Sequence, residues 1–151
     1  MQRVTSAQVT VDDRIAGLIT KGDLMRYYAT VSPYILPAVA DRPLVLKRFP
    51  NGIAGSSFYQ QKAPDEAPDA VRVETIRNEE NVEQRRIVGG DLATLLYTIQ
   101  LGAISVDPWH SRVPKLEEAD FTILDLDPGP KAPFSRVVEV AMLVREELGL
   151  D

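Results

Sequence analysis

The sequence predicts an α+β domain in which mixed or antiparallel sheets are flanked by helices. Apolar residues recur at helical spacing in three stretches, and short β-type runs, including one hairpin signal, lie between them. A chain of 151 residues that is 44% hydrophobic and 26% charged has the usual size and composition of one soluble domain. We therefore predict a single domain over residues 1–151, with strands and helices interleaved.

The amino-terminal half is predicted to begin with a helix and continue with two strands. Thr20-Lys21-Gly22-Asp23 has the form of a capping box and precedes apolar residues at helical spacing. We expect this helix to break near Ser32-Pro33 and to add one turn at Ile35-Leu36. The first strand is predicted over 44–49, ended by a Pro-Asn-Gly turn, and the second over 57–62.

The carboxy-terminal half is predicted to alternate strands and helices. Two alternating runs flank Asn78-Glu79-Glu80-Asn81, which predicts a hairpin over 71–88. The other elements expected from periodicity and turn residues are a surface loop over 63–70, a helix capped by Asp91 and ending at Gly102, a short strand over 103–106, a strand over 121–127 and a last helix over 134–149.

Composition excludes several classes of chemistry. The chain has no cysteine and a single histidine, His110, so disulfides, thiolate metal sites and multi-histidine zinc sites are ruled out. No apolar run approaches the length of a membrane span, and the first residues do not form a signal peptide. We expect a cytoplasmic protein that does not engage membranes.

Charge is distributed unevenly along the chain. The net charge is −5, but residues 1–62 carry +4 whereas residues 91–151 carry −6. A basic part joined to an acidic part suits a polyanion on one face and metal ions on another. Sampling noise in a short chain is the competing interpretation.

Asp125-Leu126-Asp127 is the sharpest candidate for chemistry. On the predicted strand the two carboxylates would point the same way, roughly 6–7 Å apart. That arrangement lets both bind one divalent cation or bridge two, as nucleotidyl transfer requires. Alternatively, Asp127 merely opens the Pro-Gly-Pro turn and Asp125 is solvated.

Two further groups could bind phosphate or nucleotide. Lys21 lies at a predicted helix start, where an anion is favoured, and Arg14 lies seven residues earlier. Lys47 is on a strand whose neighbour carries Phe58 and Tyr59, of which one at most can be a stacking platform because consecutive strand residues face opposite sides. Ordinary surface cations and core aromatics are the alternatives. A tryptophan beside proline, as at Trp109, is more typical of a packed loop anchor.

Taken in order, these segments resemble the polymerase domain of bacterial DNA ligase D, a member of the archaeo-eukaryotic primase superfamily that works in non-homologous end joining. The resemblance spans nearly all of the chain. The segments that carry it are Thr20-Lys21-Gly22-Asp23-Leu24, Tyr27-Tyr28, Leu36-Pro37, Arg42-Pro43-Leu44, Lys47-Arg48-Phe49-Pro50-Asn51-Gly52, Phe58-Tyr59, Lys62, Pro108-Trp109-His110-Ser111-Arg112 and Leu124-Asp125-Leu126-Asp127-Pro128-Gly129.

The resemblance implies a role for each candidate residue. Asp125 and Asp127 would be catalytic carboxylates that bind Mn²⁺ or Mg²⁺. Lys21, with Arg14 in place of a second lysine, would bind the 5′-phosphate at a DNA end or gap. Lys47 with Phe58 or Tyr59 would bind the incoming nucleoside triphosphate.

The resemblance also implies location and partners. The protein would be nucleoid-associated, and its partners would be DNA, nucleoside triphosphates and a ligase or Ku-type end-joining protein.

Three departures from the family pattern leave the activity open. A serine-x-histidine motif and a third metal-binding aspartate are expected downstream of the position matching Asp151. Ser105 and Asp107 stand where the family tends to have glutamate and histidine. The loop between Arg14 and Lys21 also looks short.

The sequence therefore leaves three hypotheses open. The chain could be a nucleotidyltransferase, a non-catalytic DNA-end binding module, or half of a split polymerase completed by a partner chain or by homodimerisation. We expect the resemblance to cover the amino-terminal part of the polymerase domain: a basic DNA-facing part over 1–62, the hairpin over 71–88, and a metal-binding strand and helix over 120–149.

Overall fold

A computed structural model describes residues 20–77 and 82–149 and confirms the α+β class. The chain divides into two compact units, Met1–Asp120 and Phe121–Asp151. The elements are α1 (Lys21–Val39), β1 (Leu44–Arg48), β2 (Phe58–Gln60), β3 (Val73–Arg77), β4 (Glu83–Ile87), α2 (Leu92–Gln100), β5 (Ala103–Pro108), β6 (Ser111–Arg112), β7 (Lys115–Ala119) and α3 (Phe134–Glu147).

Helix α1 begins with the capping box that the sequence predicts. The Thr20 hydroxyl accepts a hydrogen bond from the backbone N–H of Asp23 at 3.2 Å, and Asp23 Oδ2 accepts one from the Thr20 backbone N–H at 2.9 Å. The box satisfies two backbone donors that a helix start would otherwise leave to water.

The expected break at Ser32-Pro33 is wrong, because α1 continues through Pro33 and Pro37 to Val39. A proline removes the hydrogen bond that its position would donate to the carbonyl four residues earlier, which for Pro33 is the carbonyl of Ala29. The Ser32 hydroxyl donates to that carbonyl at 2.8 Å instead. The acceptor freed by the proline therefore has a partner, and the helix persists.

All strand pairs in the described residues are antiparallel and form three small sheets, with orders β2-β1-β5, β3-β4 and β6-β7. The strands predicted over 44–49, 57–62 and 103–106 and the hairpin over 71–88 are confirmed with shifted ends. The β6–β7 ribbon was not predicted, since β6 has two residues and β7 is charged along most of its length.

The core of the first unit lies beneath one face of the β2-β1-β5 sheet. Leu44 and Leu46 of β1 are almost fully buried, at 2% and 1% exposure. Gly89 approaches this core closely, because a Cβ atom there would lie 2.6 Å from the carbonyl oxygen of Val39. No larger residue fits at that position without displacing backbone. The buried residues of the cluster are Val39, Leu44, Leu46, Ala63, Val71, Ile87 and Ala103.

A buried arginine, Arg42, links three segments of the first unit by hydrogen bonds. The Arg42 guanidinium is 3% exposed and donates to the backbone carbonyls of Ala38, Trp109 and His110 at 3.0, 3.1 and 2.8 Å. Its Nη2 also donates to both carboxylate oxygens of Asp120, at 2.5 and 2.7 Å. One side chain thus joins the end of α1, the segment before β6, and the last residue of the unit.

The strand expected over 121–127 is wrong: these residues form no strand, and the metal-binding strand predicted within 120–149 is absent. A β-strand exists only where a second strand accepts and donates its ladder hydrogen bonds. Within the described part of the second unit, α3 is the single regular element. The apolar alternation of 121–127 therefore has no paired neighbour there.

Helix α3 confirms the predicted last helix, yet it has no buried residue. Val138, Met142 and Leu143 are 47%, 55% and 59% exposed. Among the described helices, none is both long enough and apolar enough to cross a membrane.

Acid should weaken the first unit through Asp120. Hydrogen bonds from Arg42 and then from Arg112 lower the pKa of Asp120 from 3.8 to about 2. Because the folded pKa lies below the unfolded value, this carboxylate contributes stability above about pH 4, and the contribution is lost as the pH falls through about 2. Urea unfolding at several pH values should show this loss.

The matched variant for this prediction is Asp120→Asn. It should be less stable than the parent near neutral pH but should lose less stability between about pH 4 and pH 2. Parallel pH profiles for the two proteins would contradict the assignment to Asp120.

Candidate nucleotide and DNA-end site

The β2-β1-β5 sheet carries a cation beside an aromatic ring on the face opposite the core. Lys47 pairs directly with Tyr59 of β2, and its Nζ lies 5.7 Å from the centre of the Tyr59 ring and 5.9 Å from that of Phe49. Tyr59 is 62% exposed. An exposed ring next to an ammonium group can stack a base and attract a phosphate.

Phe58 points to the other side of the sheet. The Arg48 guanidinium lies 5.2 Å from the Phe58 ring and donates to the Leu101 carbonyl at 2.6 Å and to Gln60 Oε1 at 2.5 Å. Arg48 is therefore held by protein acceptors. Of the three predicted nucleotide-binding residues, the structure brings Lys47 and Tyr59 together and separates Phe58 from both.

Two polar residues on the Lys47 face were not predicted from the sequence to belong to the site. Ser105 of β5 is the direct partner of Lys47, and Asp107 lies two residues further along the same strand face. The signal that locates them is the pairing register of β1 with β5, which sequence spacing alone does not reveal.

Lys21 lies at the start of α1, as predicted, and its side chain is exposed. Its Nζ donates to the carbonyl of Gln100, at the end of α2, at 3.1 Å. The helix start also holds the Asp23 carboxylate, whose pKa the Thr20 hydrogen bonds, and then Arg26, lower to about 2. Lys21 is therefore oriented by a carbonyl and keeps two ammonium N–H groups for a ligand. Arg14 lies outside the described residues.

Asp125 and Asp127 line one shallow groove of about 310 Å³ in the second unit. Both carboxylates are exposed, and Leu126 between them is half-buried. Arg136, which also lines the groove, is paired with Glu139 at 2.5 Å. The described residues contain no group of three or more acids or histidines that could hold a metal ion.

The donor chemistry of this groove fits a Mn²⁺ or Mg²⁺ ion. Mg²⁺ is usually bound by one or two carboxylates, with waters and substrate phosphates completing the octahedron. Two exposed aspartates supply that minimum and leave the other positions open.

Trp109 packs as the loop anchor that the sequence predicts. Its backbone N–H donates to the Pro43 carbonyl at 2.9 Å, and the guanidinium of buried Arg86 lies 4.5 Å from the centre of its ring. Arg86 Nη2 donates to Gln61 Oε1 at 2.8 Å, while its Nε and Nη1 have no partner among the described residues.

The fold agrees with one class of protein. The family model for the LigD primase-polymerase domain matches residues 20–150, so the chain belongs to this family. It is 29% identical to the multifunctional non-homologous end joining protein LigD of Pseudomonas aeruginosa and 31% identical to the bifunctional protein LigD of Bacillus subtilis. These matches cover 98% and 81% of the chain but 18% and 19% of the relatives.

A solved structure shows the same fold. The chain superposes on the polymerase domain of Mycobacterium tuberculosis ligase D in complex with DNA, with a TM-score of 0.74 and 26% identity. The match covers 99% of this chain and 54% of that one. The chain therefore spans about half of the solved chain and under a fifth of these two LigD relatives, which are non-homologous end joining proteins.

Proposed function

We propose that this protein binds 5′-phosphorylated DNA ends or gaps and a metal-complexed nucleoside triphosphate in end-joining repair. The observation that carries the proposal is the likeness to a ligase D polymerase domain that was solved with DNA. The family match over residues 20–150 supports it.

The sheet face is the proposed nucleotide site. Tyr59 would stack on the base, because its exposed ring offers an apolar face that any base can cover. Lys47 would attract the phosphates from beside that ring. Phe58 is assigned no contact with the nucleotide, since it packs against Arg48 on the opposite face.

Asp125 and Asp127 are the proposed metal ligands and catalytic carboxylates. A bound Mn²⁺ or Mg²⁺ would lower the pKa of an attacking hydroxyl and stabilise negative charge on the phosphates. The carboxylates themselves would hold and orient the ion, and their exposure leaves room for the phosphate oxygens of a nucleotide.

Lys21, with Arg14, is the proposed binding site for the 5′-phosphate. We expect Lys21→Ala to weaken binding to a gapped duplex with a 5′-phosphate about 10-fold, because a charge-assisted hydrogen bond is lost. Binding to the same duplex with a 5′-hydroxyl should hardly change. Fluorescence anisotropy with both duplexes measures the difference.

Lys115→Ala is the matched control for this experiment. Lys115 is an exposed lysine of β7 paired with Glu118, so its removal alters net charge equally without touching the start of α1. If the parent protein bound both duplexes with equal affinity, or if both variants lost equal affinity, the 5′-phosphate site would be wrong.

Helix α3 is the proposed contact surface for a protein partner, because its apolar side chains are exposed. A second copy of this chain or a separate chain could cover that surface. A ligase or Ku-type protein would be a further partner, at the nucleoid in the cytoplasm.

A further inference from the structure

Two side chains of β5 extend the face of the sheet that carries Lys47 and Tyr59. Ser105 is paired directly with Lys47, and Asp107 is paired with Val45, two residues before Lys47 on β1. The Ser105 hydroxyl donates to Asp107 Oδ1 at 3.2 Å, so both side chains lie on the same face. Asp107 is exposed.

The face therefore presents one cation and one carboxylate in diagonal positions. Diagonal neighbours on an antiparallel pair lie about 7–8 Å apart. Unit charges at that separation near a protein surface still interact measurably, because the effective dielectric constant there is below that of water. An anion attracted by Lys47 is consequently also exposed to the negative potential of Asp107.

We propose that Asp107 makes this face selective for nucleoside triphosphates complexed with a divalent cation over the free triphosphates. The inference rests on the proposed nucleotide function of the Lys47 face and deepens it. A free triphosphate tail is more negative than the same tail carrying a divalent ion, so the carboxylate repels the free form more strongly. The Ser105 hydroxyl holds the carboxylate on this face.

Calorimetric titration of the full chain with ATP, in EDTA and in Mn²⁺, tests the proposal. Asp107→Asn should tighten binding of ATP in EDTA about 3- to 10-fold and change binding in Mn²⁺ less than about 2-fold. Asp107→Glu keeps the charge and should keep the preference of the parent protein. Both substitutions are at an exposed position, so the fold should be retained.

Asp69→Asn is the matched control, because it removes the same charge from the 63–70 loop rather than from the sheet. Equal changes in ATP affinity for Asp69→Asn and Asp107→Asn would mean that net charge alone determines the affinity. That result would overturn the proposal. If Asp107→Asn left the ATP affinity unchanged while Lys47→Met weakened it, the role of Asp107 would be overturned and the nucleotide site would be kept. Absence of ATP binding by the parent protein in both conditions would overturn the nucleotide site and the proposal together.

Discussion

Arg42→Met is expected to lower the free energy of unfolding by about 3 kcal/mol, because it leaves part-buried acceptors without their donor. Methionine keeps most of the apolar stem but leaves the carbonyls of Ala38, Trp109 and His110 without this donor. It also removes the Nη2 donor that both carboxylate oxygens of Asp120 share. Urea unfolding followed by circular dichroism measures the change.

Arg86→Met is the matched control, since Arg86 is as deeply buried as Arg42, at 3% exposure. Burial lowers the pKa of Arg86, and two of its nitrogens lack a partner among the described residues. Replacing such a group by an apolar side chain should change stability by no more than about 1 kcal/mol in either direction. Equal losses in the two variants would show that hydrogen bonding does not distinguish these arginines.

The double substitution Asp125→Asn/Asp127→Asn is expected to weaken Mn²⁺ binding at least about 10-fold. Both carboxylates line the same groove, and neutral amides are poorer ligands for a hard cation. Electron paramagnetic resonance of free Mn²⁺ during a titration measures the affinity without depending on catalysis.

Glu146→Gln/Glu147→Gln provides the charge-matched control for the groove. These acids lie at the end of α3 and do not line the groove that holds Asp125 and Asp127. If the control lost as much Mn²⁺ affinity as the aspartate variant, the ions would be bound by diffuse negative charge, and the assignment of Asp125 and Asp127 would be wrong.

Local chemistry allowed much of the fold to be predicted from the sequence. The Thr20–Asp23 box and the Asp91 cap were predicted because their hydrogen bonds join residues close in sequence. The helix break predicted at Pro33 was wrong because that prediction considered the hydrogen bond that proline removes but not the Ser32 hydroxyl. That hydroxyl donates to the Ala29 carbonyl instead. The strand over 121–127 was wrong because alternation describes a side-chain pattern and not the presence of a partner strand.

The candidate site was predictable in its residue types but not in its geometry. The family resemblance pointed to Lys47, Phe58 and Tyr59, and strand alternation required Phe58 and Tyr59 to separate. Which of them accompanies Lys47 depends on the register of β1 with β2. Asp107 could not be placed beside Lys47 from the sequence, because 60 positions separate them and β5 joins β1 only in three dimensions.

The contact between Arg42 and Asp120 also bears on how such a chain can change over evolutionary time. Asp120 ends the first unit, and its bonds with Arg42 and Arg112 all lie within that unit. Insertions or recombination junctions immediately after Asp120 would leave these bonds intact. A gene fusion or a circular permutation should therefore be tolerated directly after Asp120 better than inside α1 or β1.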